Sequence, residues 1–322
     1  MLDAVGHLIR RAQQLHVLHW QEAVTGSLTS TQFGVLLVLA QWPGVQQRAV
    51  AELISLDKTT TADVLRRLTA RGLVVRESDP SDGRGRLARL TDAGRAAVLA
   101  AAPSVVDVQR RLIGTLPADD GEVLTALLRR IAYEGRPPDP DADTPANATV
   151  AGWPARLPPL RLHTAPGHLV RRAQQRHTTL WADLVSTQLT SAQYSVLLVL
   201  HDESPADQRE VGRRASLDKS TGSEVVARLV AKGLVVRGRD REDGRRNVLT
   251  LSDSGRRTLI DHAASVFEVQ RRLLARLTEQ DADRFVALMA RMVDVDQDTR
   301  RQARFGGSQP SATRRRDEVN CR

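Results

Sequence analysis

The sequence predicts a mainly helical α+β protein in which two similar domains, each with a small β-hairpin, are joined in one chain of 322 residues. Three observations favour this fold class. Most of the chain repeats at one constant offset, apolar residues recur at helical spacing through each repeat, and each repeat contains one pair of short strand-like runs. Hydrophobic residues make up 41% of the chain, enough to form a packed core in each domain.

The repeat is visible in several long matches. GHLIRRAQQ begins at Gly6 and GHLVRRAQQ at Gly167, and LTSTQFGVLLVL at Leu28 matches LTSAQYSVLLVL at Leu189. The same offset of 161 residues relates SLDKTT to SLDKST and the first VQRRL to the second. Each repeat is too long for a solenoid unit, so each is predicted to be a whole domain.

Proline marks the boundary between the repeats. Eight of the 14 prolines fall in residues 134–166, which disfavours helix and sheet there and predicts a semi-extended linker. We therefore expect a first domain over residues 1–133 and a second over 167–296. The remaining residues, 297–322, are basic and have almost no apolar periodicity, so they are expected to form a disordered tail.

Charge and cysteine content limit the function classes. The net charge of +9 and pI of about 10.8 indicate a polyanionic partner, although a GC-rich genome would also produce the excess of arginine over lysine. No apolar run approaches the roughly 20 residues that cross a bilayer, so no membrane partner and a cytoplasmic location are expected. The single cysteine, Cys321, excludes a disulfide framework and a zinc finger.

The first half of each domain is predicted to be helical. In the first copy, apolar residues at helical spacing predict an amphipathic helix over residues 3–24. Ser27 or Thr29 can cap a second helix, which Trp42-Pro43-Gly44 ends and whose core residues are Phe33, Leu36, Leu37 and Leu39. A short third helix is expected over residues 47–54.

A fourth helix and a hairpin follow. Asp57 is the predicted N-cap of this helix and Gly72 its left-handed stop. The runs Leu73–Arg76 and Leu87–Leu90 flank a polar turn and predict a hairpin with a basic tip. Two more helices are expected, one capped by Thr91-Asp92 and one opened by Pro117. A helix pair with a tight turn followed by a hairpin is typical of a winged helix-turn-helix.

Two matching segments, one in each copy, resemble the recognition helix, wing and following helix of the MarR family: LDKTTTADVLRRLTARGLVVRESDPSDGRGRLARLTDAGR and LDKSTGSEVVARLVAKGLVVRGRDREDGRRNVLTLSDSGR. The resemblance covers nearly all of both copies. It implies two winged helix-turn-helix domains joined through a helical dimer-like body, with double-stranded DNA as partner. Family members are usually homodimers, so this chain is expected to be a single-chain pseudo-dimer, which could pair into a further homodimer.

One side of the fourth helix is the predicted DNA-reading side. Short polar groups and cations in the first turns of a helix suit contact with the major groove. Helical spacing puts Thr60, Val64 and Leu68 on the opposite, buried side. The alternative is that Asp57 and Thr60 only cap the helix while Lys58 is solvated. The candidate DNA contacts are Lys58, Thr59, Thr61, Ala62 and Arg66 in the first copy and Lys219, Ser220, Ser223 and Arg228 in the second.

The hairpin tips carry a second set of candidate DNA contacts. An arginine at such a tip can enter a narrow minor groove, where the negative potential is strongest. Asp82 and Asp243 could fix these guanidinium groups through charge-assisted hydrogen bonds. Alternatively, the basic turns are only solvated. The candidate wing contacts are Arg84 and Arg86 in the first copy and Arg245 and Arg246 in the second.

The two copies differ where they would read DNA. Arg66 is matched by Ala227 and Arg86 by Asn247. A homodimer must read a symmetric operator, whereas a chain with unlike copies need not. We therefore expect an imperfect or asymmetric inverted repeat as the operator.

The resemblance also implies a small effector. Family members often bind phenolic or aromatic carboxylic ligands between the winged domain and the helical body. The first copy has His16, Trp20 and Phe33, and the second has His177, Trp181 and Tyr194 at matching positions, although aromatics are only 3% of the chain. Arg11 and Arg172 could neutralise a carboxylate. The alternative is that these aromatic side chains are ordinary core residues.

Three interpretations of function follow. The first is a sequence-specific transcriptional regulator, a repressor released by a small aromatic or phenolic ligand. The others are a nonspecific architectural nucleoid protein, and a ligand-binding or interaction module whose DNA face has degenerated in one copy. His16 and His19 form an i, i+3 pair that the second copy does not repeat, so no metal or other cofactor is expected. No nucleotide loop or nucleophile elbow is present, and no enzymatic activity is expected.

Overall fold

The computed structural model describes residues 5–24, 26, 28–78, 86–134, 150–239 and 247–305, with side chains of the last helix described as far as Val293. The elements of the first copy are α1 (Val5–Ala23), α2 (Ser30–Gln41), β1 (Val45–Gln46), α3 (Gln47–Ile54), α4 (Lys58–Ala70), β2 (Val74–Ser78), β3 (Arg86–Leu90), α5 (Asp92–Ile113) and α6 (Ala118–Ala132). A short 3-10 helix, Leu162–Thr164, precedes the second copy.

The second copy repeats this order. Its elements are α7 (Pro166–Leu184), α8 (Ser191–Asp202), β4 (Ala206–Asp207), α9 (Gln208–Arg214), α10 (Lys219–Ala231), β5 (Val235–Arg239), β6 (Asn247–Leu251), α11 (Asp253–Leu274) and α12 (Glu279–Phe305). The mainly helical fold class with small antiparallel sheets is confirmed. None of the helices in the described ranges is both long and apolar enough to cross a membrane.

Side-chain caps fix where the helices start. Thr29 caps α2 in a capping box with Gln32, in which each side chain bonds the backbone N–H of the other residue, at 3.2 and 3.0 Å. Thr190 and Gln193 repeat this box at α8. These reciprocal bonds satisfy N–H groups that the first turn of a helix leaves without partners.

Each winged lobe contains a three-stranded antiparallel sheet. The predicted hairpin is β2–β3 in the first lobe and β5–β6 in the second. A third, two-residue strand, which the sequence analysis did not predict, pairs with β3 through Val45 and Ala88, and its counterpart pairs with β6 through Ala206 and Leu249. Two residues are too few to give a recognisable period-2 pattern.

One hydrophobic core fills each lobe and a third joins them. We define the first winged lobe as α2–α4, β1–β3 and the start of α5, and the second as α8–α10, β4–β6 and the start of α11. The third core, here called the shared core, contains buried residues of α1 and α6 from the first copy and of α7 and α12 from the second. Its largest fully buried side chains include Ile9, Leu128 and Phe285. The two copies therefore share one interior.

Reciprocal contacts between the first helices of the two copies bring the copies close together. The His177 ring lies against Gly6, where an added Cβ would be only 2.1 Å from Nε2 of the imidazole. The His16 ring lies in the same way against Gly167, at 2.3 Å. Glycine is required at both positions because any side chain would occupy the space of the opposing histidine.

The structure differs from the predicted boundaries at two places. The second part of the linker, residues 150–165, packs against the first lobe with Val150 buried and Leu160 and Leu162 half-buried. Residues 150–165 are therefore not the semi-extended connection that the prolines of the linker predicted. Helix α12 continues to Phe305, past the predicted end of the second domain at residue 296.

Candidate nucleic-acid interface and effector cavities

The helices α4 and α10 begin with equivalent aspartate caps. The carboxylate of Asp57 accepts the backbone N–H of Thr60 at 2.8 Å and its hydroxyl at 2.5 Å. Asp218 accepts the same two groups of Thr221, at 2.9 and 2.5 Å. These bonds, first of all the one from the threonine hydroxyl, lower the pKa of each aspartate. The predicted N-cap of α4 is therefore correct, and its carboxylate is ionised at neutral pH.

Most of the candidate contacts on these helices are exposed. Lys58, Thr59 and Arg66 are exposed in the first lobe and Ala62 is half-buried. Among the described residues, none forms an ion pair or hydrogen bond with Lys58 or with Lys219. Both ammonium groups are therefore available to an outside anion. In the second lobe the exposed candidates are Lys219, Ser220, Ser223 and Arg228.

Thr61 is an exception, and its prediction as a DNA contact is wrong. Thr61 is fully buried, and its hydroxyl donates to the backbone oxygen of Asp57 at 2.8 Å. Thr60, expected on the buried side, is exposed because its hydroxyl is held by the cap. The buried residues of α4 are Thr61, Leu65 and Leu68. Leu68 is buried as expected, and Thr61 and Leu65 take the places expected for Thr60 and Val64.

The arginines of these helices are paired within the helix. Arg66 and Arg67 both bond to the carboxylate of Asp63. In α10, Arg228 lies 3.5 Å from Glu224. These pairs are exposed and contribute little to stability, so the guanidinium groups can exchange a carboxylate for a phosphate at low cost.

A basic cleft opens between the helix pair and the hairpin of the first lobe. Its volume is about 960 Å³, and Arg48, Lys58, Arg76 and Arg86 are among the residues that line it. Arg76 donates to the side chain of Gln47 at 2.8 Å, and Arg237 repeats this bond with Gln208 in the second lobe. The candidate residues of the hairpin tips, Asp82, Arg84, Asp243, Arg245 and Arg246, lie outside the described residues.

The predicted aromatic residues line two matched cavities. The first cavity, of about 40 Å³, is lined by His16, Trp20 and Phe33, among others. The rings of Trp20 and Phe33 are 5.8 Å apart, and Trp20 donates its indole N–H to the backbone of Leu28 at 2.9 Å. These residues therefore belong both to the core and to a cavity wall.

The second cavity is larger, about 310 Å³, and is lined by His177, Trp181 and Tyr194, among others. Its rings repeat the arrangement of the first, with 5.7 Å between Trp181 and Tyr194. The described part of the chain contains no group of three or more residues suited to bind a metal ion.

Each cavity also receives an arginine from the opposite copy. Arg10 of α1 lines the second cavity, and its guanidinium donates to Ser195 Oγ at 2.9 Å and to the backbone oxygen of Ala215 at 3.0 Å. Arg171 of α7 lines the first cavity and donates to the backbone oxygens of Ile54 and Ser55. The cavities are thus joints between the copies.

The predicted carboxylate ligands Arg11 and Arg172 do not line these cavities; the arginine one residue before each of them does. Arg11 donates to the backbone oxygen of Val293 and Arg172 to that of Ala132, at 3.0 and 2.9 Å, and neither lines an aromatic cavity. Arg10 and Arg171 contact the opposite copy, so no pattern within one copy indicated them. The identical GHL-x-RR starts of both copies were the available signal.

Burial keeps the histidines at these joints neutral. Burial, followed by the charges of Arg10 and Arg11, lowers the pKa of His7 to about 3. Burial is also the main cause that lowers the pKa of His16 and of His177 to about 4. Burial lowers the pKa of Arg10 to about 10, so its guanidinium is still charged at neutral pH. The second cavity therefore combines a buried cation with neutral aromatic walls.

Comparisons with known proteins identify relatives of this chain. The sequence profile described as MarR family matches residues 27–85 and again 187–246. The transcriptional regulator HosA of Escherichia coli is 35% identical over 125 residues, which are 39% of this chain and 92% of HosA. The chain belongs to the MarR family. It is therefore a winged helix-turn-helix regulator of transcription with two family regions in tandem, as the sequence predicted.

Two other similarities lie within the same family. The HTH-type transcriptional repressor NicR of Pseudomonas putida is 32% identical over 130 residues, 40% of this MarR-family chain and 82% of NicR. The crystal structure of the PcaV transcriptional regulator from Streptomyces coelicolor with its natural ligand is 41% identical. It covers 44% of this chain and 99% of PcaV, with a TM-score of 0.41.

Proposed function

We propose that this chain is a repressor whose two lobes bind adjacent half-sites of one operator, and that an aromatic or phenolic carboxylate releases it. The observation that supports this most is the shared core, to which both copies contribute helices. Helix-turn-helix dimers need half-sites about 34–36 Å apart, held by a rigid body. A body that is continuous within one chain meets that need without association of two subunits.

The proposed DNA contacts are the exposed cations and short polar groups of α4, α10 and the hairpins. Lys58 and Lys219 are unpaired among the described residues and occupy matching first turns. Arg86 starts β3 beside the basic cleft. These groups suit phosphate contact and base contact in the major groove. The remaining candidates of the helices are Thr59, Ala62, Arg66, Ser220, Ser223 and Arg228.

The operator is proposed to be asymmetric. Arg66 is exposed on α4, and its counterpart on α10 is the exposed Ala227. An arginine can read guanine through two hydrogen bonds, whereas alanine contacts only apolar groups such as the thymine methyl. The two half-sites should therefore prefer different bases at the matching position.

The effector is proposed to be an anion because Arg10 is buried without a carboxylate partner. Among the described residues, its bonds go to two serines, a backbone oxygen and a neutral histidine. A buried cation that lacks a counter-charge is costly, and an anionic ligand offsets that cost. Aromatic walls next to the guanidinium favour a planar ring on the same ligand.

Selection of binding sites from random DNA tests the proposal. We expect an enriched inverted repeat with unequal halves, and at least about a thousandfold preference over random DNA, the lower end for specific regulators. Equal binding to random DNA would support an architectural role instead. A perfect palindrome with equally tolerant halves would contradict the asymmetric operator. Light scattering of the complex distinguishes one bound chain from two.

A second measurement tests the effector. Benzoate and its hydroxylated derivatives are titrated while tryptophan fluorescence and DNA release are followed, because Trp181 lines the second cavity. We expect quenching together with release. Neither quenching nor release would contradict the effector part of the proposal and leave DNA binding unaffected.

A further inference from the structure

The two matched cavities differ in what covers them. Both have equivalent walls from their own copy and an arginine from the opposite helix. The first cavity has three more wall residues, Leu160, Leu162 and Ala165, all from the linker. None of the described residues covers the second cavity in this way. The volumes differ accordingly, about 40 Å³ against about 310 Å³.

The linker segment is fixed to the first lobe by polar and apolar contacts. Gln41 is buried, and its side-chain amide donates to the backbone oxygen of Leu160 at 3.1 Å. Val150 is 2% exposed, and Trp153 packs on the same core. Residues 150–165 are therefore part of the packed lobe.

The two cavities differ at one matched wall position, here called the floor, which is Gly34 in the first cavity and Ser195 in the second. Leu162 lies 4.0 Å from the position of a Cβ at Gly34, so the leucine packs against a residue that has no side chain. The matching residue in the second cavity is Ser195, whose hydroxyl accepts a hydrogen bond from Arg10. The first floor is thus suited to an apolar side chain and the second to a polar ligand.

Matched helix faces differ in exposure for the same reason. Ala102 of α5 is fully buried, whereas its counterpart Ala263 of α11 is exposed. Leu99 is half-buried beside the linker, whereas the matching Ile260 is 74% exposed. Phe267, which also lines the second cavity, is 68% exposed. Within the described part of the chain, the linker covers the α5 face and leaves the equivalent α11 face exposed.

The volumes decide which cavity can hold a ligand. A dry cavity of about 150 Å³ is sufficient for benzene, and sites for larger organic ligands start at about 300 Å³. The first cavity, at about 40 Å³, is too small for one aromatic ring, and the second is large enough for a ring with its carboxylate.

We propose that residues 150–165 are a built-in occupant of the first cavity, so that each chain binds one aromatic carboxylate, in the second cavity. This rests on the effector part of the proposed function. It gives the protein one effector switch per operator, whereas two open cavities would give it two.

Cysteine labelling tests the occupant without an effector. In a Cys321→Ser background, Gly34→Cys and Ser195→Cys place thiols at matching positions of the two floors, and Gly34 has space for a Cβ. Both variants are treated with benzyl methanethiosulfonate. We expect the thiol at position 34 to react at least about tenfold more slowly, because a covered site reacts only through local opening. Equal rates would overturn the proposal.

A linker variant shows whether the cover is the cause. Leu160→Ala together with Leu162→Ala should raise the rate at position 34 toward that at 195 and leave the rate at 195 unchanged. A rate at position 34 that does not change, in a variant with unaltered circular dichroism, would overturn the proposal. If this variant does not fold, the labelling rates at positions 34 and 195 with the linker intact still test whether the linker covers the first cavity.

Calorimetry with benzoate and hydroxybenzoates then counts the sites. We expect one site per chain. Two sites with the intact linker would overturn this inference alone. No binding by any of these compounds would overturn it together with the effector part of the proposed function. DNA binding, measured by fluorescence anisotropy on the same samples, reports separately on the operator proposal.

Discussion

The two winged lobes have matching sequences and the same order of helices and strands, yet their surroundings differ. The first lobe has linker residues packed over its cavity and over α5. In the second lobe, none of the described residues covers the equivalent cavity or the α11 face. Joining two copies in one chain therefore changes more than their effective concentration. The described part of the connection, residues 150–165, is one more structural element, and it packs on the first lobe.

A second comparison is between the joint, meaning the region where α1 and α7 contact the opposite copy, and the two winged lobes. His7, His16, His168 and His177 are all buried where the copies meet. His201, in the second lobe, is exposed. Proton binding should therefore act mainly on the joint, and this gives the largest effect that we expect.

Acid should destabilise the joint. An unfolded histidine binds a proton below about pH 6.5, whereas burial lowers the pKa of His7 to about 3 and that of His177 to about 4 in the folded chain. The unfolded state binds more protons in this window, so the free energy of unfolding should fall from pH 6.5 toward pH 4. Each such histidine contributes about 1.4 kcal/mol per pH unit. Urea unfolding at pH 7, 6 and 5 measures the slope.

Matched variants locate that effect. His177→Gln should reduce the slope by about 1.4 kcal/mol per pH unit, the share of one histidine. His201→Gln is the control and should leave the slope unchanged. A slope that is the same in both variants and the parent chain would assign the acid sensitivity to other groups.

The shared core can be tested at equivalent positions of the two copies. Phe285 of α12 and Leu124 of α6 are matched by the repeat and are both fully buried in that core. We expect Phe285→Ala to cost about 3–5 kcal/mol and Leu124→Ala about 2–5 kcal/mol. Each variant should lower the unfolding midpoint of both lobes, because the core belongs to both. The unfolding of each lobe is followed by tryptophan fluorescence. An unfolding midpoint that changes in one lobe only would contradict a common core.

Much of this fold could be predicted from the sequence because the signals are local. The Asp57 cap, the helix Gln47–Ile54 and the hairpin follow from residues that contact near neighbours in the chain. The prediction of which side of α4 is buried was wrong at Thr61. Thr60 and Thr61 are adjacent threonines with the same helix propensity, so the sequence does not show which one bonds to the cap and which one is buried.

The cavities could not be predicted because their walls come from distant residues. Arg10 meets Ser195 across 185 positions of the chain. No spacing within one copy indicates such a contact, and within one copy Arg11 is as plausible a ligand as Arg10. The composition of the linker predicts an extended chain, whereas residues 150–165 pack because the apolar Val150, Leu160 and Leu162 contact the core of the first lobe.

Substitution of the two buried arginines tests whether the two cavities differ in effector binding. Arg10→Gln should weaken release of DNA by an aromatic carboxylate by about tenfold to a hundredfold, because a hydrogen bond to a charged group contributes about 1.5–3 kcal/mol. Arg171→Gln, the matched variant in the first cavity, should leave the release of DNA unchanged. The effector concentration for half-maximal release is measured by anisotropy of a labelled operator. An equal weakening of DNA release in both variants would indicate that both cavities bind the effector.

The smallest effect that we expect concerns Lys58 and Lys219, which are equivalent in the two lobes. Each Lys→Ala change should weaken operator binding by about 1 kcal/mol and reduce the slope of log affinity against log salt by about one, and the pair by about two. Lys232, whose ammonium bonds the backbone of Gln188 at 2.5 Å, is the control, and Lys232→Ala should leave the slope unchanged. Titrations between 50 and 200 mM salt, the range over which phosphate contacts change affinity by about a thousandfold or more, measure this slope. A loss from Lys58→Ala alone would mean that the second lobe does not contact the duplex, and the chain would then bind a single half-site.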